Sequence, residues 1–269
     1  MTNTDTEFTG SVPDIYDEYM VPLIFADYAE ELASRVAVSE PRAVLETAAG
    51  SGVVTRALAP KLSANVHYVV TDLNQPMLDR ARRQQGHDDR ITWQQANALE
   101  LPFDDNLFDV VCCQFGVMFF PDRVAGYQEA KRVLRPGGHF IFNVWDRIEE
   151  NVFTDTAMQA LGEHFPHDPP SFMARTPHGY NDIDQIRRDV EKAGLSCDLI
   201  ETRDGVSRAP SAFQAATALC QGTPMRAEIE KRGDLQAATK HVATRLAEAF
   251  GHGEIEGKIQ AHVIVASRQ

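Results

Sequence analysis

The chain has 269 residues, 43% of them hydrophobic and 24% charged, with a formal net charge of -13 at pH 7. That length is long for one domain and short for two independent ones, and the composition is that of an ordinary globular protein with enough apolar mass for a core. The acidic balance argues against nonspecific association with nucleic acid or an anionic membrane, which needs a basic surface.

The opening MTNTDTEFTG is polar and acidic, without the basic start and apolar core of an export signal. A cytoplasmic protein is therefore expected. The stretch YDEYMVPLIFADYAEELA (16–33) reads as an N-terminal helical cover. From residue 40 to 146, strand-like and helix-like segments alternate. AVLET (43–47) is a buried strand, and VVTRALAPKL (53–62) the helix after it. VHYVVTD (66–72) is a second strand. QPMLDRARRQ (75–84) is a second helix, with Pro76 suited to its first turn. ITWQQAN (91–97) follows as a strand. FDVVCCQF (108–115) is nearly all apolar, as suits a strand covered on both faces. The longest apolar run, around Val110 to Phe120, is broken by Gln114 and too short to span a bilayer, so no membrane insertion is expected. Cys112, Cys113, Cys197 and Cys220 show no metal-ligand spacing; reduced core thiols and no metal are expected.

RVAGYQEAKRVL (123–134) has helical spacing and is stopped by RPGG (135–138), and HFIFNVW (139–145) is a fifth strand. Beyond residue 146 the pattern loosens. VFTDTAMQALGEHF (152–165) looks helical and runs into a proline-rich loop. DIDQIRRDVEKAG (182–194) is a helix with Gly194 as its C-terminal stop. SCDLIETRDGV (196–206) and KIQAHVIVASR (258–268) are strands, and 211–250 is mostly helical. The expectation is one α/β domain: a doubly wound, Rossmann-like, seven-stranded, mostly parallel sheet with helices on both faces. Its parts are a cover (1–39), a cofactor-binding core (40–146) and an acceptor-side half (147–269). A helical insertion over 211–250 precedes the last strand.

Ligands in such sheets bind at the carboxyl ends of the strands, near the point where strand order reverses. Three turns fall there. In ETAAGSG, Gly50 and Gly52 let the backbone approach a ligand. A dinucleotide loop would read GxGxxG, but Ala48 and Thr55 occupy its outer positions, and no lysine follows at P-loop spacing. An alanine at 48 is expected to hold that backbone at negative φ. Asp72 ends the second strand 20 residues beyond Gly52, where a carboxylate can accept both hydroxyls of a ribose; Asn74 is the better placed cap for the next helix. Asn97 and Ala98 end the third strand and either contact an adenine or simply form a turn.

Together these stretches resemble the class I S-adenosylmethionine-dependent methyltransferases, in the branch of ubiquinone/menaquinone and small-molecule enzymes. VLETAAGSGVVTRAL is similar to the family's glycine-rich first motif, VVTDLNQPML to its acidic second, and ANALELPFDDNLFDVV to its third. EAKRVLRPGGHFIF resembles the stretch leading into the fifth strand. The resemblance implies S-adenosyl-L-methionine as cofactor. It places Glu46 near the methionine end, with Ala48, Gly50 and Gly52 in the wrapping loop and Asp72 on the ribose. Leu73 and Met77 lie beside the adenine, and Asn97 and Ala98 at its edge. Gln114 and Phe115 line the methyl-transfer site. Tyr16 and Tyr19 either close over the cofactor or pack.

Transfer from a sulfonium is an in-line displacement that needs chiefly positioning and exclusion of water. A general base is required only when the acceptor must lose a proton; His164, His167, His178 and Tyr180, around the proline-rich loop, are candidates. Trp145 is a candidate to stack on a planar small-molecule acceptor. Phe213, Leu219, Met225, Leu246 and Phe250 either face the acceptor or pack on one another, packing being favoured. The absence of a clustered cysteine trio counts against arsenite methylation. A non-catalytic cofactor-binding module and a nicotinamide-dependent oxidoreductase remain the alternatives. Oligomeric state is left open, a homodimer included.

Overall fold

The computed structural model describes residues 15–269, so the MTNTDTEFTG segment lies outside the described residues. Its strands are β1 (Ala43–Glu46), β2 (His67–Asp72), β3 (Ile91–Gln95), β4 (Phe108–Gln114), β5 (Leu134–Trp145), β6 (Ser196–Ala209) and β7 (Ile255–Ser267). Its α-helices are α1 (Ala26–Val38), α2 (Val53–Leu58), α3 (Gln75–Gln85), α4 (Arg123–Val133), α5 (Val152–His164), α6 (Phe172–Arg175), α7 (Ile183–Lys192), α8 (Ala212–Gln221), α9 (Met225–Glu230) and α10 (Leu235–Phe250). The strands form one sheet in the order β3-β2-β1-β4-β5-β7-β6. All four pairings among β1 to β5 are parallel, and strand order reverses between β1 and β4. The expected doubly wound, mostly parallel architecture is therefore present.

The residues fall into two compact units. One comprises Asp27–Val144, Tyr180–Arg203 and His262–Gln269. Here Ala29, Leu32, Ala33 and Val36 recur at helical spacing along α1. They bury with Val44 of β1, Val54 and Leu58 of α2, Tyr68 and Val70 of β2, and Val110 and Cys112 of β4. Val110 through Cys113 are all at most 1% exposed, as the continuous apolar run demanded. Cys112, Cys113, Cys197 and Cys220 are free thiols.

Two local features differ from the sequence reading. β5 already begins at Leu134 and takes in the RPGG segment, because Leu134 pairs with Phe108 before the register shifts to Val110 and His139. Asn74 occupies the N-cap position of α3, yet its side chain makes no capping bond. Its backbone N–H donates instead to Asp72 Oδ1 at 2.8 Å.

The other unit comprises Trp145–Gly179, Asp204–Ala261 and the described part of the N-terminal segment up to Ala26. Tyr16–Phe25 is a wide, π-type helix with Pro22 inside it, and a proline supplies no N–H for a regular α-turn. α8 and α10 pack closely, and both bury small residues: Ala212, Ala215 and Ala216 on one, Ala238 and Ala243 on the other. Ser211 and Asp234 cap these helices by accepting from Gln214 and Ala237 N–H. Leu219, Met225 and Leu246 are buried, Phe250 packs edge-on against Phe153 at 4.8 Å, and Phe213 is 54% exposed. Among the described residues no helix is long and apolar enough to cross a membrane.

Candidate functional site

The glycine loop leaves the carboxyl end of β1 in a left-handed conformation. Ala48, Gly50 and Gly52 have φ of 52°, 57° and 78°. The negative φ expected of Ala48 is thus overturned. Its neighbours explain why: Thr47 N–H donates to Cys112 O of β4, and Ala49 N–H to Thr71 O of β2, each at 2.9 Å. With both flanks tied to neighbouring strands, the residue between them must take the left-handed turn whatever its side chain. The Ala48 methyl is tolerated because Gly116 lies opposite; a Cβ there would sit 2.6 Å from it. Gly52 is held as glycine for a separate reason, since a Cβ would come 2.8 Å from that of Ala81 in α3.

Asp72, at the end of β2 and 6% exposed, is bonded to this loop. Its Oδ2 accepts from Gly50 N–H at 2.8 Å and its Oδ1 from Asn74 N–H. Burial raises its pKa against the pull of those two N–H donors. Beside it Leu73 is 50% exposed, while Met77 is buried with its terminal methyl 3.7 Å from the Cβ position of Gly50. Asn97 is exposed; its Oδ1 accepts from Leu99 N–H at 3.1 Å, so the side chain shapes the turn that also carries Ala98.

Glu46 is 1% exposed. Its Oε2 accepts from Thr55 Oγ1 of α2 at 2.7 Å and from the Tyr68 hydroxyl of β2, so one carboxylate staples three elements beneath the loop. Burial pushes its pKa up to about 7, outweighing these two donors. The staple was not legible in the sequence, because its partners lie 9 and 22 residues away.

Gln114 ends β4 opposite Asn143 of β5. Phe115, next in the chain, has φ of 48° and is buried. Its N–H is shared between the backbone oxygen of Asn143 at 3.2 Å and the Asn143 Oδ1 at 3.0 Å. Its ring meets that of Tyr28 edge-on at 5.5 Å. A bulky residue in the left-handed region is rare and concentrates at functional sites. Asn143 and Tyr28 were missed in the sequence. The one available signal was a lone amide in the apolar run HFIFNVW.

The remaining candidates have separate surroundings. In the helical unit, Trp145 is buried, with Phe25 at 5.9 Å and His178 at 6.1 Å, and Tyr16 lies against Phe25 at 5.2 Å. Tyr19 is held by Glu18, whose hydrogen bond raises its phenol pKa. His178 Nδ1 bonds to Asp146 O at 2.8 Å, and burial lowers its pKa to about 4. His164 meets Phe165 edge-on at 4.7 Å and lies tilted against His241 at 5.4 Å, and His167 is exposed. In the sheet unit Tyr180 donates to Asp189 Oδ2 at 2.8 Å and receives the Tyr127 hydroxyl, with the Arg123 guanidinium 4.1 Å over its ring. Burial holds its phenol well above the usual range. The four proposed proton acceptors therefore do not share one set of partners.

Residues 45–142 match the methyltransferase domain family. The ubiquinone/menaquinone biosynthesis C-methyltransferase UbiE of Hahella chejuensis is 30% identical over 164 residues, covering 56% of this chain and 66% of that protein. The chain thus spans just under two thirds of that relative's length. Among solved structures, phosphoethanolamine N-methyltransferase 2 of Haemonchus contortus, in complex with S-adenosyl-L-methionine, aligns at a TM-score of 0.60 with 16% identity. That alignment covers 100% of this chain and 61% of the other. The [4+2]-cyclase SpnF aligns at 0.58 with 18% identity, covering 91% and 81%. Neighbours with such different activities share the fold alone, and function has to be argued from the site.

Proposed function

We propose that this chain, which carries a methyltransferase domain across residues 45–142, transfers the methyl group of S-adenosyl-L-methionine to a small-molecule acceptor. The observation that carries this is Asp72: a buried carboxylate at the reversal point of the sheet, bonded to the N–H of Gly50 in the glycine loop. The residues fit the cofactor. Each Asp72 oxygen accepts one backbone N–H and keeps a second lone pair for a ribose hydroxyl. Leu73 offers half its surface to an adenine, and the loop's positive φ values bring backbone rather than side chain to the ligand. Gln114 ends β4 and the kinked Phe115 follows it, at the same carboxyl end of the sheet as these groups.

When bound, the cofactor supplies a methyl already activated on sulfur, so the protein's work is to orient the acceptor and keep water out. Where the acceptor must lose a proton, His178 is the better assignment than Tyr180: burial keeps its imidazole neutral and it lies beside Trp145, whereas the Tyr180 hydroxyl is held well above its usual pKa and donates to Asp189. We assign cofactor binding to 40–146, acceptor recognition to 147–269 with Trp145 beside His178, and a cytoplasmic location consistent with four free thiols.

Calorimetry with S-adenosylhomocysteine tests the site. Asp72→Ala is expected to weaken binding by about 1–3 kcal/mol, the cost of unpaired ribose hydroxyls, and an unchanged dissociation constant refutes the ribose assignment. Turnover is read by release of S-adenosylhomocysteine across a panel of small acceptors. Binding without any turnover would favour a cofactor-sensing module. Stabilisation by NAD(H) but not by S-adenosylhomocysteine would make the protein an oxidoreductase instead.

A further inference from the structure

We propose a second binding site, for a small organic anion with an apolar body, on the sheet face at the amino-terminal ends of β1, β2 and β3. The crossover from β3 to β4, residues 96–107, forms no helix, unlike those after β1, β2 and β4. The opposite face of these strands is covered by α1, α2 and α3. On this face the irregular crossover contributes Phe103 and Leu107 to the lining of a cavity of about 590 Å³. That is ordinary for a small-molecule site, where clefts run to roughly 300–1,000 Å³.

The cavity has two kinds of wall. Its floor is Val69, paired in register with Thr92, and its side is Phe103 and Leu107 from the crossover. Leu107 is 38% exposed, a large apolar side chain that the fold does not cover. Its rim carries Arg42, Arg135 and His67, and the Asp109 carboxylate beside it is already paired with Arg135, in a chain of net charge -13. The Arg135 side chain and the Arg42 backbone meet at one group. Asp109 Oδ1 receives the Arg135 guanidinium at 2.6 Å, and its Oδ2 the Arg42 backbone N–H at 2.8 Å. Arg135 is thereby held at the rim with further N–H donors to offer. The Arg42 side chain has no ion-pair partner among the described residues. A carboxylate or sulfonate would meet this fork, and its apolar body would cover Val69, Phe103 and Leu107. The site lies three residues along β1 from Glu46, about 10 Å at the rise of a strand, and is distinct from the glycine loop.

The probe is 8-anilinonaphthalene-1-sulfonate, an aromatic sulfonate whose emission rises in an apolar pocket, titrated into the full chain with and without S-adenosylhomocysteine. Saturable binding is expected, undisturbed by S-adenosylhomocysteine and displaced by octanoate but not by inorganic phosphate at equal concentration. Arg42→Glu should weaken it about tenfold or more, and Leu107→Ser about threefold to tenfold. Arg42 is exposed and Leu107 partly so, and an unchanged circular dichroism spectrum verifies that each variant folds. Displacement by S-adenosylhomocysteine would overturn the proposal, as would unchanged affinity in both variants. Failure of octanoate to compete, or equal competition by phosphate, would overturn it as well.

Discussion

Two turns leave the carboxyl ends of neighbouring parallel strands, and they reach the same backbone conformation by different means. After β1, the left-handed residues are Ala48, Gly50 and Gly52, two of them glycines that adopt it without steric cost. After β4, the left-handed residue is Phe115, which costs of order 1–3 kcal/mol and persists only where its surroundings insist. Here they do, through Asn143, which offers two oxygens to the Phe115 N–H, and through Tyr28 against its ring. A turn made by glycines can be read from the sequence. A turn enforced by a residue 28 positions away cannot.

The same division runs through the site. The strand and helix positions from 43 to 145, the glycine loop and Asp72 were legible, because each is a local pattern: apolar runs, glycines, and a carboxylate closing a strand. The Glu46 staple, the Asn143 clamp and the sign of φ at Ala48 were not, because they depend on which strands become neighbours. Ala48 shows it most plainly. Local preference argued for negative φ, and two backbone hydrogen bonds to β4 and β2 decided otherwise.

The largest expected effect lies under the glycine turn. Between about pH 4.5 and 7 the native state keeps a proton on Glu46 that the unfolded chain has released. This group therefore lowers stability as pH rises across that window, by about 3 kcal/mol in all. Glu46→Gln cannot ionise and still accepts from Thr55 and Tyr68. Urea unfolding at pH 5 and pH 8 should show wild type losing about 3 kcal/mol relative to the variant. A difference independent of pH would mean that Glu46 is not protonated by burial.

Glycine substitutions separate the two turns. Gly52→Ala meets both an unfavourable φ and a Cβ 2.8 Å from that of Ala81, and should cost about 3 kcal/mol. At Gly116 the φ is -103°, so only the crowding against Ala48 and Cys113 Sγ matters. Gly116→Ala should therefore cost less, about 2 kcal/mol. Chemical denaturation of both variants checks the order. Equal losses would show that backbone strain contributes little in the first turn.

The smallest effect is the sharpest on the comparison, because it asks whether the alanine at 48 stores strain as Phe115 does. Ala48→Gly removes a side chain from a left-handed residue, which favours the native state by about 1–2 kcal/mol. It also frees the unfolded backbone, which costs about 0.4–1 kcal/mol. The net expectation is a gain of up to about 1.6 kcal/mol in unfolding free energy. Since a Cβ at Gly116 would lie 2.6 Å from that of Ala48 but also 2.7 Å from Cys113 Sγ, removing the Ala48 methyl should relieve part of the Gly116→Ala penalty. Measuring both single variants and the double variant isolates that coupling. Strict additivity would place the Gly116→Ala cost on the cysteine side, and leave Ala48 as a residue whose strain is borne by the two strand hydrogen bonds alone.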